Sequence, residues 1–401
     1  MGKVNYSANI TQIVDYYQIS KAEAGIVPSF FFFAYGIGQV VNGLLCKKYN
    51  IKWMIFLSLF VSAVINLVVA LTPDFEIIKW LWMLNGFMLS ILWPTLVRLL
   101  SGALPQKDLG KSSVVMGTTV AAGTLVIYGL SSVFAMFDKF QLSFYTASFF
   151  DLIIAVLWVC LYRKAFKCAY EEKEKEVISH NNETKKEKSI ENDKVDKSII
   201  YITICVLCLY AVIVNLTKDG LTTWVPSILK ENFAMSDSVS ILLTLTLPIV
   251  AMFGNLIALK MHKVIPDYIT HCFVVFIIIG GIVGLTIAGI SQTQIIFTLA
   301  GLMFVNFMAS SLNSLITSIF PIFMRAKVNS GLLAGILNGF CYAGSTISSY
   351  GLGLVADNFG WISVFWLLIG CCIFEGIAWC IYSCVRYILC VRGRYGMVYF
   401  K

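Results

Sequence analysis

Apolar residues run along this chain in long unbroken stretches. They occupy residues 25–45, 53–72, 77–101, 113–136 and 143–161, and after a gap 199–221, 239–259, 268–290, 294–319, 330–355 and 361–384. A helix needs about 20 apolar residues to cross a bilayer, so the spacing predicts about 11 transmembrane helices, five before the gap and six after it. The strict alternation of an outer-membrane barrel strand is missing. Ser20-Lys21-Ala22-Glu23 has the form of a capping box and predicts a helix start just ahead of the first stretch. Residues 162–197 carry no apolar periodicity and are expected to form a flexible linker.

Composition narrows the class further. Of 401 residues 58% are hydrophobic and 13% are charged, against roughly 25% charged in a soluble globular protein. Of the 52 charges, 19 fall within residues 162–197, so little polar surface is left elsewhere. A soluble enzyme, a secreted disulfide scaffold and a disordered chain are excluded. The net charge of +8 does not point to nucleic acid, because the basic residues sit in short loops between apolar stretches. On one side of the alternating loops lie 24 Lys and Arg; on the other lie six, Lys3, Lys21, Lys79, Lys139, Lys218 and Lys230. The positive-inside rule then places the linker and the C-terminus in the cytoplasm. Lys230 is expected to sit exposed in a polar turn with Glu231 and Asn232. No ATP-binding, Ser/His/Asp or HExxH motif interrupts the apolar helices, which argues against an enzyme. The three histidines lack ligand spacing, and Cys205 and Cys208 form a CxxC only inside an apolar helix, so neither metal nor cofactor is expected.

Five segments, a linker and six segments read as six plus six with the first helix mostly missing. Lys3 lies 22 residues before Gly25, and Lys218 lies 23 residues before Ile241, near the start of the equivalent later segment. The two lysines thus hold matching places in two repeated halves, the plan on which many secondary transporters are built around a midplane site. The expected division is an N-terminal bundle at 1–161, a charged cytoplasmic linker at 162–197, a C-terminal six-helix bundle at 198–385 and a basic tail at 386–401. With its first helix cut, Lys3 is expected to hang from a frayed N-terminus, and restoring an upstream helix is expected to raise activity.

Gly353-Leu-Val-Ala-Asp357-Asn-Phe-Gly360-Trp361 resembles the GxxxDxxGW that closes the eleventh helix in the major facilitator superfamily. Gly43 to Lys52 sits where that family carries its loop motif after helix two, with Lys47 in place of the usual Asp. Within the superfamily the chain is most similar to the organophosphate:phosphate antiporters. Lys3-Val4-Asn5 resembles the Arg-x-Asn of their first helix, and Ala34-Tyr35-Gly36 through Gln39 resembles their AYG motif. Gly86 through Trp93-Pro94 to Arg98 resembles their G…WP…R. Lys218-Asp219-Gly220 through Trp224-Val-Pro226 resembles their Arg-x-Gly…Trp-x-Pro. Both family arginines are lysines here, the basic residue of the AYG motif is Gln39, and a family histidine falls on Val120.

The resemblance implies an all-α major facilitator fold and substrate contact by Lys3, Lys218, Tyr35, Gln39, Trp93 and Tyr342. It also implies gating or conformational roles for Arg98, Gly353, Asp357 and Gly360. The residues' own physics leaves alternatives beside these. Two lysines at matching depth can clamp a dianion by charge-assisted hydrogen bonds; equally, Lys218 can pair with Asp219 or snorkel outward. Tyr35 and Gln39 share a helix face and either line a cavity or bond neighbouring helices. Asp151 and Glu375, inside the last helix of each half, either carry a coupling proton or pair structurally; the peripheral packing of those helices in the superfamily favours pairing. The expected function is secondary active transport of a small organic anion by alternating access, in phosphate ester/phosphate antiport. The rival is a membrane sensor of the same fold that binds an anion without moving it. The expected partners are the anion and the lipid bilayer, with no nucleic acid, and the expected state is a monomer in the cell (inner) membrane.

Overall fold

The computed structural model describes residues 2–45, 50–103, 106–180, 197–324, 328 and 330–391. Every element among them is helical. The first half comprises α1 (Asn5–Ala8), α2 (Ile10–Tyr17), α3 (Lys21–Leu45), α4 (Ile51–Leu71), α5 (Phe75–Leu89), α6 (Leu92–Ala103), α7 (Gln106–Ala135) and α8 (Gln141–His180). The second comprises α9 (Lys197–Phe233), α10 (Asp237–Thr244), α11 (Thr246–Val264), α12 (Tyr268–Ser291), α13 (Ile295–Ser314), a π turn (Leu315–Ile319), α14 (Phe320–Phe323), α15 (Ser330–Phe359) and α16 (Trp361–Val391).

Helix starts follow local chemistry. Ser20 Oγ accepts from the Glu23 amide at 3.1 Å, and Glu23 accepts from the Ser20 amide at 2.9 Å, a complete capping box ahead of α3. Asn50, Asp74, Ser236 and Asp267 each accept from an amide in the first turn of the helix that follows. Three breaks follow from proline, which removes the bond to the carbonyl four residues back. Pro94 frees the Ser90 carbonyl where α5 gives way to α6, and Pro248 frees that of Thr244 where α10 gives way to α11. Pro321 frees that of Thr317, inside the π turn.

Nine helices among the described residues are long and apolar enough to cross a membrane. The two remaining predicted segments are α7, whose apolar part is Thr119–Ala135, and α15. α15 is rich in Gly and Ser because one of its faces packs closely against α3 and α9. Leu333, Leu337, Cys341, Ser345, Ser348, Leu352 and Ala356 recur three or four apart and are all buried. Small residues there let neighbours close in. A Cβ on Gly344 would run into the backbone carbonyl of Val212 on α9, and one on Gly25 into the carbonyl of Ser349, which joins α3 to α15.

Two expectations change. α8 does not end at the membrane boundary but continues to His180, so the first half of the charged stretch is helical. Glu and Lys alternate there at helix-pairing distances and are good helix formers; residues 181–196 lie outside the described residues. α9 likewise runs past Lys218 and through Pro226 to Phe233. Lys230 is therefore in the last helical turn, not in an exposed loop.

Candidate functional site

Lys3 precedes α1 and is not on a frayed end. Asn85 Nδ2 of α5 donates to the Gly2 carbonyl at 2.9 Å. Asn5 Nδ2 donates to Asn66 Oδ1 of α4 at 2.7 Å, and the Tyr6 hydroxyl donates to the Ala24 carbonyl of α3 at 2.9 Å. Tyr6, Ile10 and Ile13 are fully buried. Burial of this apolar face and three long-range hydrogen bonds hold the segment at a fixed depth, which overrides the expectation of fraying.

The Lys3 ammonium lies over three rings: Tyr35 at 4.8 Å and Phe32 at 5.4 Å from α3, and Tyr342 at 5.4 Å from α15. Each such contact contributes about 2 kcal/mol where water is excluded. Tyr35 and Tyr342 pack at 4.8 Å between centroids, so the two halves of the chain meet under the lysine. From α9, the Lys218 ammonium is 3.1 Å from Asp219 Oδ1. The other carboxylate oxygen, Oδ2, accepts from the Ser345 hydroxyl of α15 at 2.6 Å. Lys3 and Lys218 both lie within electrostatic reach of Asp219 and of each other. One turn toward the linker end, Asn338 Nδ2 donates to Gln39 Oε1 at 3.1 Å. Around the second lysine stand amide and hydroxyl groups. Asn306 Nδ2 donates to Thr222 Oγ1 at 3.0 Å, and Asn215 Nδ2 donates to Ser345 Oγ at 3.4 Å. The side-chain Oδ1 of Asn215 is buried with no partner among the described residues.

The structure thus brings together Lys3, Lys218, Tyr35, Gln39 and Tyr342. Trp93 is 39% exposed on α6, and no ring contact among the described residues joins it to them. Arg98 is carried by α6, but its side chain lies outside the described residues, as does Lys47. Asp219, Ser345 and Phe32 were not singled out from the sequence as contributors. Phe32 was within reach of that reading, being three residues before Tyr35 and so on the same helix face. Ser345 was not, because only the fold brings it to residue 219.

A second cluster closes the opposite end of the same helices. Asp357 of α15 accepts from the amides of Lys21 and Ala22 at 3.2 and 2.7 Å, at the start of α3. The Lys21 ammonium bridges Asp357 at 3.6 Å and Glu231 at 3.2 Å, and Glu231 accepts from Trp361 Nε1 at 2.9 Å. A carboxylate at a helix N-terminus is favoured by the exposed amides and the helix dipole. Gly353 leaves room for Trp224 and the Lys21 carbonyl, and Gly360, at φ +77°, turns the chain into α16. Lys230, expected to be solvated, instead bridges Asp237 at 2.9 Å and also Asp15 of the first half. Lys230→Ala is accordingly expected to loosen this closure by about 1 kcal/mol while leaving anion affinity at the central lysines unchanged. Binding isotherms together with labelling of a cysteine placed at Ser29 check both.

Of the two carboxylates expected to pair, Asp151 accepts from Ser62 Oγ at 2.9 Å between α4 and α8. Glu375 does not pair: it is fully buried in the second half, and neither carboxyl oxygen has a hydrogen-bond partner among the described residues.

Comparison with known proteins agrees with this architecture. The family model described as Major Facilitator Superfamily matches residues 1–330. Human "Sugar phosphate exchanger 3" is 22% identical over 386 residues, covering 86% of this chain and 76% of that protein. The "Probable hexose phosphate transport protein" of Chlamydia trachomatis serovar D is 21% identical over 367 residues, covering 88% and 80%. The crystal structure of a bacterial homologue of the human lysosomal transporter Spinster, in an inward-facing and occupied conformation, superposes with a TM-score of 0.69 at 12% identity, over 95% of this chain and 94% of the other. The paired helical halves and the family match together make this chain a multi-pass membrane transporter, not an enzyme, that belongs to the major facilitator superfamily.

Proposed function

We propose that the chain exchanges small phosphorylated anions, or phosphate itself, across the cell membrane, binding them between Lys3 and Lys218. The observation that carries this reading is that one cation from each half lies within electrostatic reach of the same carboxylate, Asp219, with hydroxyls and amides beside Lys218. An ammonium group buried at that depth is costly unless it meets an anion, and lysine is a compact point charge suited to a phosphate oxygen. The names of the two sequence relatives, a sugar phosphate exchanger and a hexose phosphate transport protein, favour the same chemistry.

The asymmetry of basic loops supports a cytoplasmic linker and C-terminus. The Lys21–Asp357 closure is then on the external side. Alternating access follows when the halves at 1–161 and 198–385 rock about the central lysines, opening that closure and shutting the opposite end. Each chain supplies both lysines, so a monomer suffices.

Proteoliposomes loaded with unlabelled phosphate and presented with labelled phosphate test this. Uptake that requires the internal anion is expected, with hexose phosphates competing for entry. Phosphate binding with no flux in either direction would identify a sensor, and absence of both binding and flux would overturn the substrate class.

A further inference from the structure

The carboxylate beside Lys218 is not a passive neighbour. Asp219 uses its two oxygens on different partners: Oδ1 faces the Lys218 ammonium at 3.1 Å, and Oδ2 takes the Ser345 hydroxyl at 2.6 Å. It is also within electrostatic reach of Lys3. The side chains of Lys218 and Asp219 are 22% and 18% exposed, so an incoming solute can reach the pair, whereas Ser345 is fully buried.

We propose that Asp219 is a built-in counter-ion, which neutralises the lysine pair when no anion is bound and is displaced from Lys218 by the anion that enters. The inference rests on the reading of Lys3 and Lys218 as the anion site. Two buried cations without a counter-charge repel each other and cost desolvation energy. An anion bound to such a pair would be held tightly and released slowly. A carboxylate already bonded to Lys218 weakens binding by competing for the same ammonium, and it takes the ammonium back as the anion leaves. Ser345 makes the exchange reversible, because the displaced carboxylate keeps its bond through Oδ2 and is not left as an unpaired buried charge. Asp219 is therefore a positioning residue acting through Lys218. Its net effect is to turn tight binding into turnover, much as an enzyme gains rate by not over-stabilising its bound state.

The full chain in nanodiscs, titrated with inorganic phosphate at fixed pH and ionic strength, tests this with four proteins: parent, Lys218→Gln, Asp219→Asn and the double variant. Asp219→Asn is expected to bind phosphate about tenfold more tightly, Lys218→Gln to bind at least tenfold more weakly, and the double variant to match Lys218→Gln, since the carboxylate acts through the lysine. In phosphate exchange Asp219→Asn should lower both KM and kcat, and Asp219→Glu, which keeps the charge, should restore the parent values. Asp219→Ser gives the same sign by a second route if the Asn variant folds poorly. Unchanged or weaker binding by the Asn and Ser variants, with Lys218→Gln still impaired, would overturn the counter-ion and leave the lysine site standing. Parent-like binding by Lys218→Gln would instead overturn the site itself.

Discussion

Lys218→Gln is expected to reduce anion affinity by about 1.5–3 kcal/mol, roughly tenfold to a hundredfold, and to reduce exchange accordingly. Lys218→Arg is expected to keep part of the function. The physical reason is the position of the group in mid-helix on α9, within reach of Lys3 across the interface between the halves. Removal of the ammonium leaves the Asp219 carboxylate beside the anion with nothing on its Oδ1 side to balance it. Arginine keeps the charge, but its planar fork does not reproduce the point contact at 3.1 Å. Surface-corrected exchange rates for the three proteins check this. The useful contrast is not Lys230, which is tied to Asp15 and Asp237, but Lys139, a lysine at the tight turn between α7 and α8.

Gly25→Val is expected to block transport by a different route. A side chain at residue 25 would meet the Ser349 carbonyl of α15 and the Trp224 ring. Helix backbone cannot swing aside as the tip of a side chain can. Overpacking of this kind costs about 1–3 kcal/mol or more, all of it in the state where the Lys21–Asp357 end is closed. The carrier is then driven toward the state open at that end by about tenfold to a hundredfold in population. Ser29, which donates to the Thr346 carbonyl at 2.7 Å in the closed arrangement, reports the change. A cysteine at Ser29 should react with a membrane-impermeant maleimide in Gly25→Val and be protected in the parent. Exchange should fall at least tenfold, while phosphate affinity stays within a few fold of the parent.

These effects lean on features that differ in how far they could be read from residues alone. Long apolar runs announce helices because a bilayer leaves no other partner for backbone amides. The capping box at Ser20 and Glu23 and the matching places of Lys3 and Lys218 in the two halves are likewise local or periodic signals. Breaks at Ser90–Ile91, at Leu245 and at the π turn were also within reach, since each lies just before a proline. The missing links are those that only tertiary packing creates. Ser345 meets Asp219 across 126 residues, and Lys230 meets Asp15 across 215. Trp93 marks the limit of a local signal, because its place beside Pro94 says nothing of which face α6 turns toward the lysines. α8 outran its apolar segment because helix formation in a charged stretch depends on neighbouring side chains, not on hydropathy.

The central claim is that a positive charge at residue 218, between the two halves, holds the transported anion. Lys218→Cys treated with an aminoethyl thiosulfonate rebuilds a side chain of nearly lysine length and charge, while a methyl thiosulfonate adds bulk without charge. The parent, treated in parallel, controls for the other cysteines. Phosphate exchange should be lost in Lys218→Cys, return with the charged reagent and remain lost with the neutral one. Equal exchange by Lys218→Cys before and after either reagent, at the parent rate, would contradict it.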